Sequence, residues 1–234
     1  MPLAVGWSLA LVAVAAFCSL GYWQLSRGEQ KQAMLGEVEG VLARRDARPL
    51  ASASDEARLR SYDWAAGEGH FLELPPVLLD NQIRESRPGL RVYRVFQPAA
   101  GGLPLLVDMG WLPLPGDRRL PALDAPPQAT RIEGLLAPAP SAGLATPSAS
   151  ATPQGVLAIG LDPGVVAEAL GLPALAVRVL KLDPASPLGY ARDLDILPNT
   201  LPPDRHLGYA VQWFGLALAV LVVALVLSLR RRGR

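Results

Sequence analysis

The chain has 234 residues, 50% of them hydrophobic and 18% charged, with a formal net charge of +1. Arg230, Arg231, Arg232 and Arg234 crowd the C-terminus, so the remainder is slightly acidic and offers no basic surface for nucleic acid. A single cysteine, Cys18, rules out a disulfide framework, and two histidines, His70 and His206, rule out a His-rich zinc site.

Leu3 to Trp23 is free of charge and longer than the h-region of about 7–15 residues in a secretory signal. It has no basic n-region and no small-x-small cleavage site ahead of a polar start. Residues 1–23 therefore read as an uncleaved transmembrane helix, with a signal cleaved near Ala13 and Ala15 as the alternative. Arg27 to Arg48 continues as a helix, with Ala33, Met34, Val38, Val41 and Leu42 on one face.

The pattern then changes to short apolar runs bounded by turn residues. Expected strands are His70–Leu74, Val77–Asp80, Leu90–Gln97, Leu103–Trp111, Arg131–Leu136, Gly155–Ile159 and Leu175–Leu182. Pro98-Ala99-Ala100-Gly101-Gly102 suits a hairpin connection. Asp162 as cap and Pro163 in the first turn predict a short helix over Pro163–Leu170. Residues 137–154, rich in Pro, Ala, Ser and Thr, read as a mobile loop.

The second uncharged run, Leu207 to Leu229, predicts a transmembrane helix over 206–229, followed by a basic tail over 230–234. Positive loops stay cytoplasmic, which puts both termini in the cytoplasm and the middle, 24–205, in the periplasm or intermembrane space. Tyr22, Trp23, Tyr209 and Trp213 then form an outer aromatic belt, with Trp7 near the inner face. The expected fold class is α+β: two transmembrane helices flanking a periplasmic domain with an antiparallel sheet or small open β-barrel.

Catalytic signatures are absent from the sequence. There is no G-x-x-x-x-G-K-[ST], no G-x-S-x-G and no C-x-x-C, and Gly67-Glu68-Gly69 lacks the third glycine of a dinucleotide fingerprint. Copper delivery lacks soft ligands, since the methionines are only Met1, Met34 and Met109. Neither span holds an ionisable acid or base for chemistry in the membrane, so the chain is read as a non-enzyme. His206 stands where the second span begins. Two readings are open for it: a metal ligand at the membrane boundary, or the polar first turn of an interfacial helix capped by Asp204. His70 reads as an ordinary strand residue.

Four elements carry a resemblance. Gly21-Tyr22-Trp23-Gln24-Leu25-Ser26-Arg27 with Lys31 resembles the G-x-W-Q-L-x-R-x-x-x-K element that closes the first span in the surfeit locus protein family, the Shy-type cytochrome c oxidase assembly factors. Arg87-Pro88-Gly89 leading into Arg91-Val92-Tyr93 is similar to that family's P-G-x-x-V strand entry. Leu106-Val107-Asp108-Met109-Gly110-Trp111-Leu112-Pro113 resembles its V-L-V-x-R-G-W-x-P strand. Pro198-Asn199 with His206-Leu207-Gly208-Tyr209-Ala210-Val211-Gln212-Trp213-Phe214 resembles its P-N-x-H-x-x-Y-A-x-x-W-F entry to the second span. Met109 replaces an arginine usual in the family, Gln82 another, and Asn199 lies seven residues before His206 instead of two.

The resemblance implies an inner-membrane assembly factor that binds haem a and assists its insertion into cytochrome c oxidase subunit I, with haem a synthase as a further partner. A haem-free scaffold holding oxidase subunits and partners together is the alternative. Under the first reading His206 supplies the axial base to haem iron, and Tyr209, Ala210, Trp213 and Ala217 share its helical face as a flat surface for a porphyrin. Trp23, Gln24 and Arg27 lie at the outer end of the first span. There Gln24 and Gln212 are expected to bond across the helix pair, and Arg27 to meet a haem propionate or lipid phosphate.

Overall fold

The computed structural model of the chain describes residues 3–197 and 201–232; Pro198, Asn199 and Arg234 lie outside them. These residues form two compact units, one of 3–36 with 201–232 and one of 37–197. Helix α1 runs without a break from Leu3 to Arg44. No proline interrupts it after Pro2, and the polar residues beyond Trp23 are good helix formers, so the apolar segment and its charged continuation share one helix. It stops where Arg45 turns left-handed (φ 50°), its amide bonding Val41 O at 2.8 Å.

In the second unit, β1 (Arg48–Pro49) and two 3-10 turns (Leu50–Ser54 and Glu56–Arg58) lead into β2 (Asp63–Phe71). There follow β3 (Val77–Arg84), β4 (Arg87–Pro98), β5 (Leu105–Pro113), β6 (Arg131–Pro138), β7 (Ser148–Thr152) and β8 (Gly155–Ile159). Helix α2 (Pro163–Leu170) and β9 (Arg178–Leu182) complete it. The nine strands form one sheet in the order β1-β2-β6-β9-β5-β4-β3-β8-β7. Beyond this order, β2 also pairs with β4 through Gly69–Phe71, so β2, β6, β9, β5 and β4 make a closed circuit of hydrogen-bonded neighbours.

The sheet is mixed, which corrects the expectation of an antiparallel one. Short hairpins make β3–β4, β4–β5 and β7–β8 antiparallel. The long stretches of chain between β3 and β8 and between β5 and β9 let these pairs run parallel, as β1–β2 also does.

Two other expectations change. The strand read at His70–Leu74 begins at Asp63 and ends at Phe71, because Gly67 and Gly69 interrupt the apolar pattern without interrupting the strand. Gly69 is needed there: a Cβ would lie 2.8 Å from Cζ of Phe96. The stretch 137–154 is not a loop throughout, since β6 extends to Pro138 and Ser148–Thr152 forms β7. Its small side chains add little burial, but Pro153 and Gln154 turn the chain so that its backbone pairs with β8 from Thr152↔Gly155 to Ser148↔Ile159. The helix over Pro163–Leu170 is as expected, with Asp162 accepting from the amides of Gly164 and Val165 at 3.0 Å and Gly171 closing it in the left-handed region.

Alternation along the strands sorts side chains onto two cores. Phe71, Leu90, Val92, Phe96, Leu105, Val107, Met109, Ile132, Leu136, Leu180 and Leu182 pack together from all five strands of the circuit. Met109 is thus a core residue, as suits an apolar side chain at that position. On the other face, Val77, Val95, Leu106 and Val179 pack under Val166, Ala167 and Leu170 of α2. Each fully buried side chain of this size contributes about 1.5–3 kcal/mol.

Charged residues also sit in this interior. Asp63 on β2 meets Arg178 of β9 at 2.7 Å and Arg48 at 2.9 Å and accepts twice from Arg58. Arg178, wholly buried, also donates to the carbonyls of Ser52 and Ser61. On the α2 face, Asp108 of β5 stands in register between Tyr93 of β4 and Lys181 of β9. Asp108 accepts from Arg91 at 2.7 Å and from the Gly110 amide at 3.0 Å, while Lys181 donates to the Asp195 carbonyl. Burial lowers the Lys181 pKa below its ordinary value despite the nearby carboxylates.

Gly110 fixes the last part of this unit. At the bulge between β4 and β5 its φ is +116°, and a Cβ would stand 2.7 Å from Tyr190 O. That close approach lets Tyr190 N bond Met109 O at 2.7 Å and Trp111 N bond Ala191 O at 2.8 Å. Gly110→Ala is expected to cost about 1–3 kcal/mol through backbone strain and loss of these bonds. A urea titration of the full chain in detergent measures it; an unchanged midpoint would contradict the account of this bulge.

Candidate functional site

The first unit is an antiparallel helix pair. Helix α3 spans Pro203–Arg232, and both it and α1 are long and apolar enough to cross a membrane. Only 6% and 11% of their most apolar windows are buried, unlike core helices of a sheet domain, so most of their apolar surface faces outward.

What is covered follows a three-and-four spacing. On α3 the less exposed positions include His206, Ala210, Trp213, Ala217, Val220, Ala224 and Ser228; on α1 they include Trp7, Ala10, Val14, Phe17, Gly21, Gln24, Gly28 and Lys31. Facing residues meet in order along this seam. Trp7 Nε1 donates to Ser228 Oγ at 2.9 Å, Phe17 and Trp213 stack with centroids 5.7 Å apart, and Gly21 leaves room for the Phe214 ring. Near the start of α3, His206 meets Gln24, and Lys31 Nζ donates to the carbonyl of Leu201.

His206 is 7% exposed. Its Nδ1 lies 2.7 Å from Gln24 Oε1, and its Nε2 is closed to solvent with no hydrogen-bond partner among the described residues. Gly28 lies directly against the histidine: a Cβ there would stand at contact distance, 3.4 Å, from Cβ of His206. An imidazole fixed through one nitrogen and bare at the other has the donor set of an axial base for haem iron. Because Nε2 is covered, a ligand reaches it only by displacing the atoms now packed over it.

The site expected from sequence is brought together in part. His206 and Gln24 are in contact. Trp213 takes part in the seam through its stack on Phe17. Tyr209 lies off the seam at 42% exposed, and Trp23 is 53% exposed. Arg27 turns along its own helix to Gln30 at 3.1 Å.

Three geometric expectations are corrected. The stripe His206–Ala210–Trp213–Ala217 is not an open surface, because its three-and-four spacing seats it against α1; Ala210 is 1% exposed and Ala217 5%. Gln24 bonds His206 instead of Gln212, which is exposed six residues beyond His206 and off the seam. Asp204 lies inside the first turn, where its charge suits the helix N-terminus, because Pro203 already begins the helix.

Phe17, Gly21 and Gly28 went unread as seam residues. Their signal was present: Phe17, Gly21, Gln24, Gly28 and Lys31 recur at four, three, four and three residues, the spacing of a helix-packing edge.

Comparison with known proteins agrees with the motifs. A SURF1-like protein from Monosiga brevicollis is 25% identical over 243 residues, covering 97% of this chain and 88% of the relative. The family model described as the SURF1 family matches residues 11–218, from within α1 through the sheet and well into α3. Extending over most of the chain and taking in the whole sheet with parts of both long helices, that match establishes that the chain belongs to the SURF1 family, the surfeit locus family its motifs resemble.

Proposed function

We propose that this protein is a cytochrome c oxidase assembly factor of the bacterial inner membrane that binds haem a transiently and assists its insertion into subunit I, acting without turnover. The observation that carries the reading is the state of His206: Nδ1 tied to Gln24 and Nε2 bare. Haem a, when bound, would supply an iron able to accept the lone pair of a neutral imidazole. His206 would hold it, Gln24 would orient the ring, and Arg27 and Trp23, exposed beside them, would face propionates and the membrane boundary. Trp213 and Tyr209 would border the macrocycle once the seam admits it.

Orientation follows from charge. Arg230 and its neighbours directly after the second span favour a cytoplasmic C-terminus, and two spans then place both termini in the cytoplasm and the sheet domain in the periplasm. Subunit I and haem a synthase are the partners this implies. The outward apolar faces of α1 and α3 suit lipid or partner helices.

A second reading is favoured by the burial of His206 itself: a haem-free scaffold in which the 2.7 Å bond only locks α1 to α3. Cells lacking this chain, complemented with wild type, His206→Ala or His206→Asn, distinguish the two by the haem a content of purified subunit I. The haem reading expects both variants to fall to the level of uncomplemented cells. Full rescue by His206→Asn, which keeps a polar partner for Gln24, would support the scaffold instead.

A further inference from the structure

We propose that Gln24 is a positioning residue for His206: it dictates which ring nitrogen carries the proton, and so which one remains a base. The inference rests on the haem reading only for what the base is used on; the placement of the proton stands on the geometry of the helix pair.

Gln24 Oε1 lies 2.7 Å from Nδ1. A carboxamide oxygen only accepts, so Nδ1 bears the hydrogen, and in a neutral ring the lone pair then belongs to Nε2. The opposite tautomer, with the carboxamide NH2 turned to Nδ1, would leave an N–H at Nε2 buried without an acceptor among the described residues. A buried orphan donor of that kind is rare in native proteins.

The surroundings reinforce the arrangement. Gly28, one turn beyond Gln24, brings the backbone of α1 close enough that its missing Cβ would be 3.5 Å from the carbonyl of Pro203. Lys31 is engaged with Leu201 and gives no hydrogen to the imidazole. His206 is 7% exposed, so water has little access to compete for its hydrogen bond and the preference for one tautomer is strengthened. Metal-binding histidines commonly hold their second nitrogen this way, and loss of that partner weakens metal affinity about 10–100-fold.

The chain has two histidines, so the test is direct. The full chain is labelled with 15N-histidine in detergent, and His70, exposed on β2, serves as internal reference. The expected spectrum gives His206 a protonated Nδ1 and an unprotonated Nε2. Gln24→Leu is expected to shift His206 toward the Nε2–H tautomer with His70 unchanged, and Gln24→Glu, an acceptor of the same length, to retain Nδ1–H. Titration with haem a is expected to show affinity reduced about 10–100-fold in Gln24→Leu and kept in Gln24→Glu. A wild type already in the Nε2–H form overturns the proposal, as does a Gln24→Leu chain with unaltered tautomer and unaltered haem affinity. The expected tautomers in a wild type that takes up no haem would support the role of Gln24 and overturn the haem reading. If Gln24→Leu does not fold, the wild-type and Gln24→Glu spectra still decide the tautomer.

Discussion

Asp63→Ala is expected to destabilise the sheet unit by about 3–5 kcal/mol, a large share of a typical folding free energy of about 5–15 kcal/mol. The cause is what remains behind. Arg178 has no exposed surface, and its ion pair with Asp63 at 2.7 Å is its charge partner in the sheet. The carbonyls of Ser52 and Ser61 accept from the guanidinium but do not neutralise it. Asp63→Asn keeps the shape and one acceptor, so it is expected to fall between wild type and Ala. Arg48 and Arg58 are partly exposed and can turn to water when Asp63 is removed.

The same residue sets an acid limit. Burial would raise the Asp63 pKa, but hydrogen bonds from Arg58 and Arg178 overcome this and hold it below its ordinary value. A carboxyl with a lowered folded-state pKa contributes stability that is complete above its unfolded value of about 3.9 and is lost as pH falls through the folded value. Wild type should therefore lose stability as acid reaches that range, and Asp63→Asn should lack this component. Urea midpoints across the acid range, taken for both chains, test the sign; parallel curves would contradict it.

Asp108→Ala is expected to have a comparable effect, about 3–5 kcal/mol, through a different element. Asp108 is 3% exposed and joins three neighbours: Arg91 at 2.7 Å, the Gly110 amide at 3.0 Å, and Lys181 in register on β9. Its loss leaves Arg91 with Asp193 at 3.6 Å, a carboxylate that is itself 41% exposed. Lys181, whose charge burial already disfavours, loses its nearest compensation. The bulge at Gly110 also loses its side-chain acceptor, so Tyr190 and Ala191 should loosen. Amide hydrogen exchange at Trp111 and Tyr190, faster in Asp108→Ala than in wild type, is the local signature. Unchanged exchange there would separate the ion pair from the bulge.

Parts of this fold were legible because local chemistry determined them. Asp162, Pro163 and Gly171 bracket α2 regardless of tertiary context, and Leu90 to Gln97 is a run rich in β-branched and aromatic residues between turn residues, which reads as a strand and is buried on both faces. What was not legible depended on partners distant in sequence. Gly67 and Gly69 look like turn residues until Leu50 and Phe96 are seen against them. Ser148–Thr152 has the composition of a loop and becomes a strand only because β8 offers it a backbone ladder. Parallel pairing of β5 with β9 crosses a separation of about seventy residues that no short pattern encodes.

The site divides along similar lines. His206 stood out as an imidazole at the start of an apolar run, and Gln24 as a polar residue at the end of another. Their direct contact was hidden, since Gln212 was an equally polar candidate for Gln24. The spacing of seam positions, not polarity, selects His206: successive steps of four, three and four residues lead from it to Ala210, Trp213 and Ala217, and Gln212 falls outside that series.

The proposed function turns on His206 Nε2, which would hold the iron of haem a. Its most direct test is the absorption spectrum of the full chain purified in detergent from cells that make haem a, wild type beside His206→Ala, with helicity verified for both. Wild type is expected to show a haem a spectrum that is lost in a folded His206→Ala. An equally coloured variant, or a colourless wild type that still co-purifies with subunit I, would contradict it.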